Sequence, residues 1–331
     1  EPDRGLRACE KALERAGTAP GLLSSRAAVL VQKGILLRRL GRSDEAFAAY
    51  TEAIVIFKRL GIRRNEAFAL NSLGVALASN GLYEDAILSI RGSIHIDRET
   101  GDRLRLGRKL SNVGQLYDAL GDTRRGLSFV KRALDVFECV DDRAGRCDAL
   151  VAVAEMMLDE GSGLDSTAMW LDQARRIAER LASNYEIARE RIVRARAERL
   201  AGDTEAAAKA ARQAARAASA DGLVSYEVHA LAELALALAS APERDEARIR
   251  RVLEQCRERL AGADVERAER VYLTLARTFQ LLEDEEPARA LFNAGAAIVE
   301  AKAESIRSES MRRRYLGSRD AEMIRAEAGA P

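Results

Sequence analysis

Residues 71–87 read NSLGVALASNGLYEDAI, and the spacing of their small residues decides the fold. Gly74, Gly81 and Ala86 of this stretch each have a small residue forty positions before them and forty positions after them. The step relates Gly34, Gly74 and Gly114, then Gly41, Gly81 and Gly121, and then Ala46, Ala86 and Gly126. A constant period of this length is typical of an array in which one structural unit is repeated and stacked.

Each period contains two helical stretches separated by short breaks. Gly81 follows an apolar helical stretch, where a glycine in the left-handed conformation closes a helix. Gly61 and Gly101 end the second stretch, and Asp141 fills the same place one period later. Hydroxyl residues that follow the turns are the expected N-caps; they are Ser43, Thr123 and Thr204. The predicted unit is therefore helix, turn, helix, turn.

The recurring glycine in the middle of the first helix needs a packing reason. Gly74 costs about 1 kcal/mol relative to alanine at such a position. We expect the second helix to cross there, too close for a side chain, with Ala46 and Ala86 forming the small opposite face. The small residues then mark the contact between two antiparallel helices.

This pattern resembles the tetratricopeptide repeat, which has a small residue midway in its first helix, a glycine before the second helix, and two alanines seven apart. NSLGVALASNGLYEDAI and SNVGQLYDALGDTRRGL (111–127) carry the resemblance best. The forty-residue unit is similar to that of kinesin light chains and of bacterial signalling arrays. The resemblance implies an all-α, right-handed superhelical solenoid of about seven antiparallel helix pairs, with an extra N-terminal helix and a C-terminal capping helix.

Three segments follow from this pattern. Residues 1–21 are expected to form an N-terminal helix that belongs to a truncated preceding repeat, because the chain begins without Met and inside a helical pattern. Residues 22–300 are the repeat array. Residues 301–331 are the expected C-terminal capping helix and tail.

Composition excludes several function classes. The 53 Lys and Arg residues balance 52 Asp and Glu residues, and a net charge of +1 does not favour nucleic acid as the main partner. No apolar run is long enough to span a membrane. The four cysteines form no CxxC pair, which predicts a reducing compartment and hence the cytoplasm. Only seven basic residues are Lys, a bias that we interpret as GC-rich bacterial coding.

Sequence signatures of catalysis are absent as well. The chain has no GxxxxGK[ST] loop, no GxSxG elbow and no HExxH helix. We therefore expect neither a catalytic activity nor a cofactor nor a metal site. An all-helical enzyme with an unrecognised site is a minor alternative.

In tetratricopeptide domains the first helices line a concave groove, and peptide ligands usually lie there. Carried over by resemblance, the groove residues of this chain would be Phe68, Asn71, Arg108, Asn112, Gln115, Glu155, Arg189, Arg196, Arg199 and Tyr272. The structural repeat positions would be Gly34, Gly74, Gly114, Gly41, Gly81, Gly121, Ala46 and Ala86.

Charges in the predicted groove alternate in sign from one repeat to the next, and Glu155 is expected to lie opposite Arg196. At the second groove position the residues are Arg108, Asp148, Arg189, His229 and Glu269. One interpretation is a set of ion pairs between repeats, each worth roughly 0–1 kcal/mol if exposed. The other is that Arg189, Arg196 and Arg199 offer donors to an acidic partner.

The leading hypothesis is a non-catalytic scaffold that binds a peptide or a partner domain in the concave groove. One alternative is a regulatory or sensing segment of a larger bacterial signalling protein, such as a kinase, NTPase or transcription regulator. A minor alternative is self-association through the ends of the array, where one helix face stays unburied.

Overall fold

A computed structural model describes residues 2–17, 19–40, 42–161, 163–263 and 265–329. These residues form seventeen α-helices and no β-strand, which confirms the all-α prediction. The helices are α1 (Pro2–Ala16), α2 (Leu23–Arg39), α3 (Ser43–Arg59), α4 (Arg63–Ser79), α5 (Tyr83–Thr100), α6 (Arg103–Ala119), α7 (Thr123–Cys139), α8 (Arg143–Asp159), α9 (Leu164–Leu181), α10 (Asn184–Leu200), α11 (Thr204–Ala220), α12 (Val224–Ala239), α13 (Glu246–Leu260), α14 (Ala268–Leu281), α15 (Glu285–Ser305), α16 (Glu309–Leu316) and α17 (Arg319–Ala328).

Helices α2 to α15 form seven consecutive helix–turn–helix pairs, the number that the forty-residue period predicts. The two helices pack on each other in α2/α3, α4/α5, α8/α9, α10/α11 and α12/α13. Most of the connecting turns are only a few residues long, so the two helices of a pair run antiparallel. First helices of neighbouring pairs also pack together, as in α8/α10, α10/α12 and α12/α14.

The turn residues adopt the predicted left-handed conformation. Gly81 and Gly121 have φ angles of 75° and 73°. Asp141 has a φ of 50° at the position where other repeats carry glycine. Gly41 lies outside the described residues. The periodic glycines therefore end helices, as the sequence indicates.

The crossing of paired helices at the mid-helix glycines is also confirmed. A Cβ atom on Gly34 would lie 2.7 Å from Cε1 of the buried Tyr50, and one on Gly74 would lie 3.0 Å from the carbonyl oxygen of Ala86. Ala46 and Ala86 are fully buried on the opposing helices. Gly114 is likewise buried in α6.

The N-cap prediction is wrong by one residue. Ser43, Thr123 and Thr204 are the first residues inside their helices, not the caps. For two of them the cap is the preceding aspartate. Asp122 accepts a hydrogen bond from the backbone N–H of Arg125 at 3.3 Å, and Asp203 accepts one from Ala206 at 2.8 Å. A carboxylate also interacts favourably with the positive end of the helix dipole, which favours aspartate at this position.

The chain divides into two compact units. The first comprises Glu1–Leu116 together with Ser305–Arg307. Its core packs large side chains such as Tyr50 and Phe57 against small ones. The segment 305–307 joins this unit through a hydrogen bond of 3.0 Å from Oγ of Ser305 to the carbonyl oxygen of Gly81.

One ion pair is buried inside the first unit. Nζ of Lys109 on α6 lies 2.6 Å from Oδ2 of Asp97 on α5, and the two side chains are only 4% and 2% exposed. Burial is the main influence on both groups: it raises the pKa of Asp97 and lowers the pKa of Lys109. Each charge depends on the other for its stability in this environment.

The second unit comprises Tyr117–Glu304 and Ser308–Pro331. Its two cores are rich in alanine, valine and leucine from α8 to α15. The region from residue 301 onward holds the end of α15 and two short helices, α16 and α17. The domain limits at 21/22 and 300/301 stay predictions.

Candidate functional site

In the first unit, two predicted groove residues lie one turn apart on α4. The Phe68 ring is 39% exposed, and the guanidinium carbon of Arg105 lies 5.7 Å from the ring centre. Asn71 is partly buried, and its Oδ1 atom has no hydrogen-bond partner among the described residues. A buried acceptor without a partner costs about 1–3 kcal/mol, so this amide is unsatisfied within the fold.

The neighbouring first helix, α6, adds polar side chains. Asn112 and Gln115 are partly buried, while Arg108 is exposed. Nε2 of Gln115 donates a hydrogen bond to Oγ of Ser111 at 3.2 Å. Asn112 and Gln115 are three residues apart, so they lie on the same face of α6. The first unit therefore presents amides on two adjacent first helices, with an aromatic ring on one of them.

In the second unit, charged side chains from several helices meet in one ionic cluster. Arg270 of α14 is at its centre and is 9% exposed. Its Nη1 lies 2.5 Å from Oε1 of Glu155, its Nη2 lies 2.8 and 2.9 Å from the oxygens of Asp159, and its Nε lies 2.7 Å from Oδ2 of Asp320. The guanidinium of Arg270 on α14 thus forms hydrogen bonds to carboxylates of both α8 and α17. The whole cluster consists of Asp118, Glu155, Asp159, Arg196, Arg267, Arg270 and Asp320.

Arg267 enters the cluster from the residue before α14, where its φ of 54° places it in the left-handed region. Its Nη1 lies 3.3 Å from Oδ2 of Asp118 and 3.2 Å from Oε1 of Glu155. Its Nη2 lies 3.4 Å from Asp159, which also receives Nη2 of Arg196 at 2.6 Å. Asp159 therefore contacts three arginines.

These contacts separate the pKa values of the buried carboxyls. Burial raises the pKa of Asp118 to about 6, with a further rise from the nearby Asp159 and Glu155, against the opposing effect of Arg267. Burial also opposes ionisation of Asp159, but the three arginines outweigh it and hold the pKa of Asp159 below its ordinary range. Asp118 is thus the carboxyl of this cluster that titrates closest to neutral pH.

The structure resolves how the predicted groove charges pair. Nη1 of Arg189 lies 2.7 Å from Oδ1 of Asp148, which confirms an ion pair between successive repeats. Nε of Arg199 lies 3.4 Å from Oε2 of Glu233. Arg196 is close to Asp159, as described above. The expected pairing of Glu155 with Arg196 is wrong, because Glu155 binds Arg267 and Arg270 instead.

Tyr272 of α14, also a predicted groove residue, lies beside Gly295 of α15. A Cβ atom on Gly295 would be 3.3 Å from Cβ of Tyr272. The adjacent Glu269 binds Nζ of Lys302 at 2.6 Å, so this face of α14 is directed at α15. Tyr272 is therefore in contact with the second helix of its own pair.

Four residues of the ionic cluster could not be expected from the sequence pattern: Arg267, Arg270, Asp159 and Asp320. None of them occupies a position that the family pattern assigns to the groove. Asp159 and Arg270 are 111 residues apart, so their contact depends on the packing of α8 and α14. No local pattern in the sequence signals this contact.

Within the parts of the chain that the structure describes, no group of three or more His, Cys, Asp or Glu residues could hold a metal ion. No helix in these parts is long and apolar enough to cross a lipid bilayer. The cysteines Cys9, Cys139, Cys147 and Cys256 are free thiols.

Comparison with known proteins gives a family match and several structural relatives. The model of the tetratricopeptide repeat matches residues 25–91. Kinesin light chain-related protein 2 of Arabidopsis thaliana is 28% identical over 128 residues, which are 37% of this chain. The match spans only 19% of the length of that plant protein.

Solved structures share the fold at low identity. Aspartyl phosphate phosphatase F from Bacillus subtilis has a TM-score of 0.68 and 14% identity, and the match covers 84% of this chain and 71% of that one. NprR, solved in complex with its cognate peptide NprX, has a TM-score of 0.58 and 15% identity, with 89% and 88% covered. The tetratricopeptide repeat thus matches residues 25–91, and the helix pairs beyond them continue the same forty-residue period.

Proposed function

We propose that this protein is a non-catalytic scaffold that binds a peptide, or a segment of a partner domain, on the first helices of its repeats. The observation that carries the proposal is the buried Oδ1 atom of Asn71, which lacks a partner within the described residues and lies one turn from the exposed ring of Phe68. When this partly buried amide turns outward, its oxygen accepts a backbone N–H of an extended peptide, while a side chain of that peptide packs on the ring.

The comparisons support a peptide ligand without identifying it. NprR, which shares the fold, was solved with a peptide bound to it. In this chain the amides of Asn112 and Gln115 extend the polar surface from α4 to α6. An acidic partner is a second element of the proposal, supported by the arginines of the second unit.

Asn71→Ala is the variant that tests the groove. A phage-displayed library of random peptides is selected on the full chain, and the affinities of the selected peptides are compared by fluorescence anisotropy. We expect Asn71→Ala to weaken binding by about tenfold, since a hydrogen bond to a buried amide contributes about 1 kcal/mol or slightly more. Asn65→Ala, an exposed position in the first turn of α4, is the matched control. Equal affinities of the two variants would refute the Asn71 site, and failure to select any peptide would refute the peptide ligand.

A regulatory or sensing segment of a larger bacterial signalling protein is the second candidate function. It is supported by the plant relative, in which the matched region is a small part of a much longer chain. The complete reading frame that encodes this chain tests it: a flanking kinase, NTPase or DNA-binding domain supports this function, and its absence removes it. The free cysteines fit a cytoplasmic setting for either function.

Self-association through the ends of the array is the third candidate. Leu22, just before α2, and Val55, on α3, are apolar side chains of the first helix pair that are 44% and 60% exposed. Sedimentation velocity over a wide concentration range tests this candidate. A sedimentation coefficient that does not change with concentration would exclude it.

A further inference from the structure

A small arginine-rich cavity of about 30 Å³ lies beside the ionic cluster of the second unit. Helices α10, α12 and α14 form most of its wall, and α17 closes it. Its charged lining is dominated by cations, with five arginines and two carboxylates. These residues are Arg196, Arg199, Arg270, Arg277, Arg319, Glu233 and Asp320.

Helix α17 enters this arginine-rich face with one carboxylate and two apolar side chains. Oδ2 of Asp320 accepts a hydrogen bond from Nε of Arg270 at 2.7 Å. Ile324, four residues later, is fully buried, and so is Ala321 between them. Helical spacing places these three residues on one face. On this face Asp320 binds Arg270 of α14, and Ile324 packs beside Gly295 of α15.

The carboxylate of α17 does not satisfy all of the cations. Nη2 of Arg277 has only the thioether sulfur of Met323 as a partner, at 3.3 Å, and no carboxylate of the described residues forms an ion pair with it. Burial, together with the positive charges of Arg199 and Arg319, lowers the pKa of Arg277. Nη1 of Arg196 is buried without a hydrogen-bond partner in the described chain. Additional negative charge would therefore be favourable here.

Little apolar surface holds α17 in place. The helix has ten residues, of which only Ala321 and Ile324 are buried. A helix of this length is marginal in isolation and depends on its docking contacts. Opening of such an element requires far less free energy than global unfolding.

We propose that the arginine-rich face is a binding surface for an acidic helical segment of a partner protein, and that α17 occupies it as an internal ligand. The partner segment carries one or more carboxylates and an aliphatic residue four positions later, as α17 does with Asp320 and Ile324. Its extra carboxylates bind Arg277 and Arg196, and it displaces α17. This inference rests on the proposed scaffold function and adds the partner's chemistry and a competing segment.

Hydrogen exchange on the full chain tests whether α17 opens. Ile324→Ala removes its main apolar contact, and Glu322→Ala, at an exposed position of the same helix, is the matched control. We expect Ile324→Ala to accelerate exchange of the amides of residues 319–328 by about 30-fold or more, while α14 is unchanged. The inference is overturned if α17 exchanges as slowly as α14 in the wild type and in Ile324→Ala.

Binding of a labelled peptide tests the surface itself. The probe is a fluorescein-labelled peptide with the sequence of residues 318–329, measured by anisotropy. We expect the full-length Ile324→Ala variant to bind it at least about tenfold more tightly than the wild type or Glu322→Ala, because affinity scales with the open fraction. A probe with Asn at position 320 should bind several-fold more weakly, because Asp320 binds Arg270. A probe with Glu in place of Met323, which lies against Arg277, should bind several-fold more tightly.

Equal binding by the wild type and Ile324→Ala, or by the Asp and Asn probes, would overturn the inference and leave α17 as a structural cap. The scaffold function and the inference about α17 can be refuted independently of each other. Peptides from the display library that depend on Asn71 test the scaffold function in the first unit, and they do not involve α17.

Discussion

Replacement of Lys109 by methionine should leave a carboxylate buried without a counter-charge in the first unit. Lys109 and Asp97 are both almost completely buried, 2.6 Å apart, and neither charged atom has another hydrogen-bond partner among the described residues. Removing one member of a buried pair costs about 3–5 kcal/mol, because the remaining charge stays desolvated. We expect Lys109→Met to lose free energy of unfolding in this range near pH 8.

The free energy of unfolding that Lys109→Met loses should become smaller as the pH falls. Burial already raises the pKa of Asp97, and the ammonium of Lys109 opposes this rise. Without Lys109 the folded-state pKa of Asp97 increases further. A raised folded-state pKa means that the protonated form stabilises the fold at low pH, and that this stability is lost as pH rises through that pKa. Lys109→Met should therefore be less destabilised near pH 5 than near pH 8.

Urea denaturation followed by far-UV circular dichroism measures this effect. The double variant Asp97→Leu/Lys109→Met removes both charges and should lie within about 1 kcal/mol of the wild type, since an apolar pair can replace a buried ion pair. Arg313→Met is the control, because the side chains of Arg313 and its partner Glu309 are 74% and 78% exposed, and we expect no measurable loss. The reasoning is refuted if the double variant is as unstable as Lys109→Met, or if Lys109→Met unfolds like the wild type.

Two further predictions concern single positions. Because burial raises the pKa of Asp118 to about 6, wild-type stability falls relative to Asp118→Asn as pH rises through 6. Urea titrations should show the variant gaining about 1.4 kcal/mol over the wild type between about pH 5 and pH 8, because about one pKa unit of the raised interval lies above pH 5. A constant difference would contradict this. Gly74→Ala should lower the free energy of unfolding by about 1–3 kcal/mol, since the new Cβ would overlap Ile90 and approach the carbonyl oxygen of Ala86. Gly92→Ala, inside α5, adds a methyl group that meets only Cδ1 of Leu70 at 3.7 Å and should not share this loss in thermal denaturation. Equal melting temperatures of the two variants would argue against the crossing.

Features of the fold that repeat locally could be predicted from the sequence. Gly74 and Ala86 belong to successive helices of one pair, so their spacing already encodes the contact between them. The left-handed Asp141 was predictable for the same reason. The caps were misplaced by one residue because Asp122 and Thr123 are both good capping residues, and only the start of the helix decides between them.

The candidate site was much less predictable. The pair of Arg189 with Asp148 follows from the repeat period, because equivalent positions of adjacent first helices meet. The contact of Arg270 with Asp159 joins helices from non-adjacent repeats. It depends on how each successive pair is rotated relative to the one before, and small differences in packing accumulate in that rotation. No local pattern in a single sequence reports the rotation that accumulates over three successive pairs.

The hydrogen bond between Ser305 and Gly81 has a consequence for the order of folding. Its two residues are 224 positions apart, whereas the contacts within a helix pair join residues close in the chain. During synthesis each pair in the first unit is able to form soon after it leaves the ribosome, because its contacts are local. Residues 305–307 are made only after α5 and five further helix pairs. The acidic residues Glu84 and Asp85, which bind Arg307 in the folded chain, thus lack this partner on the nascent chain until residue 307 has been made.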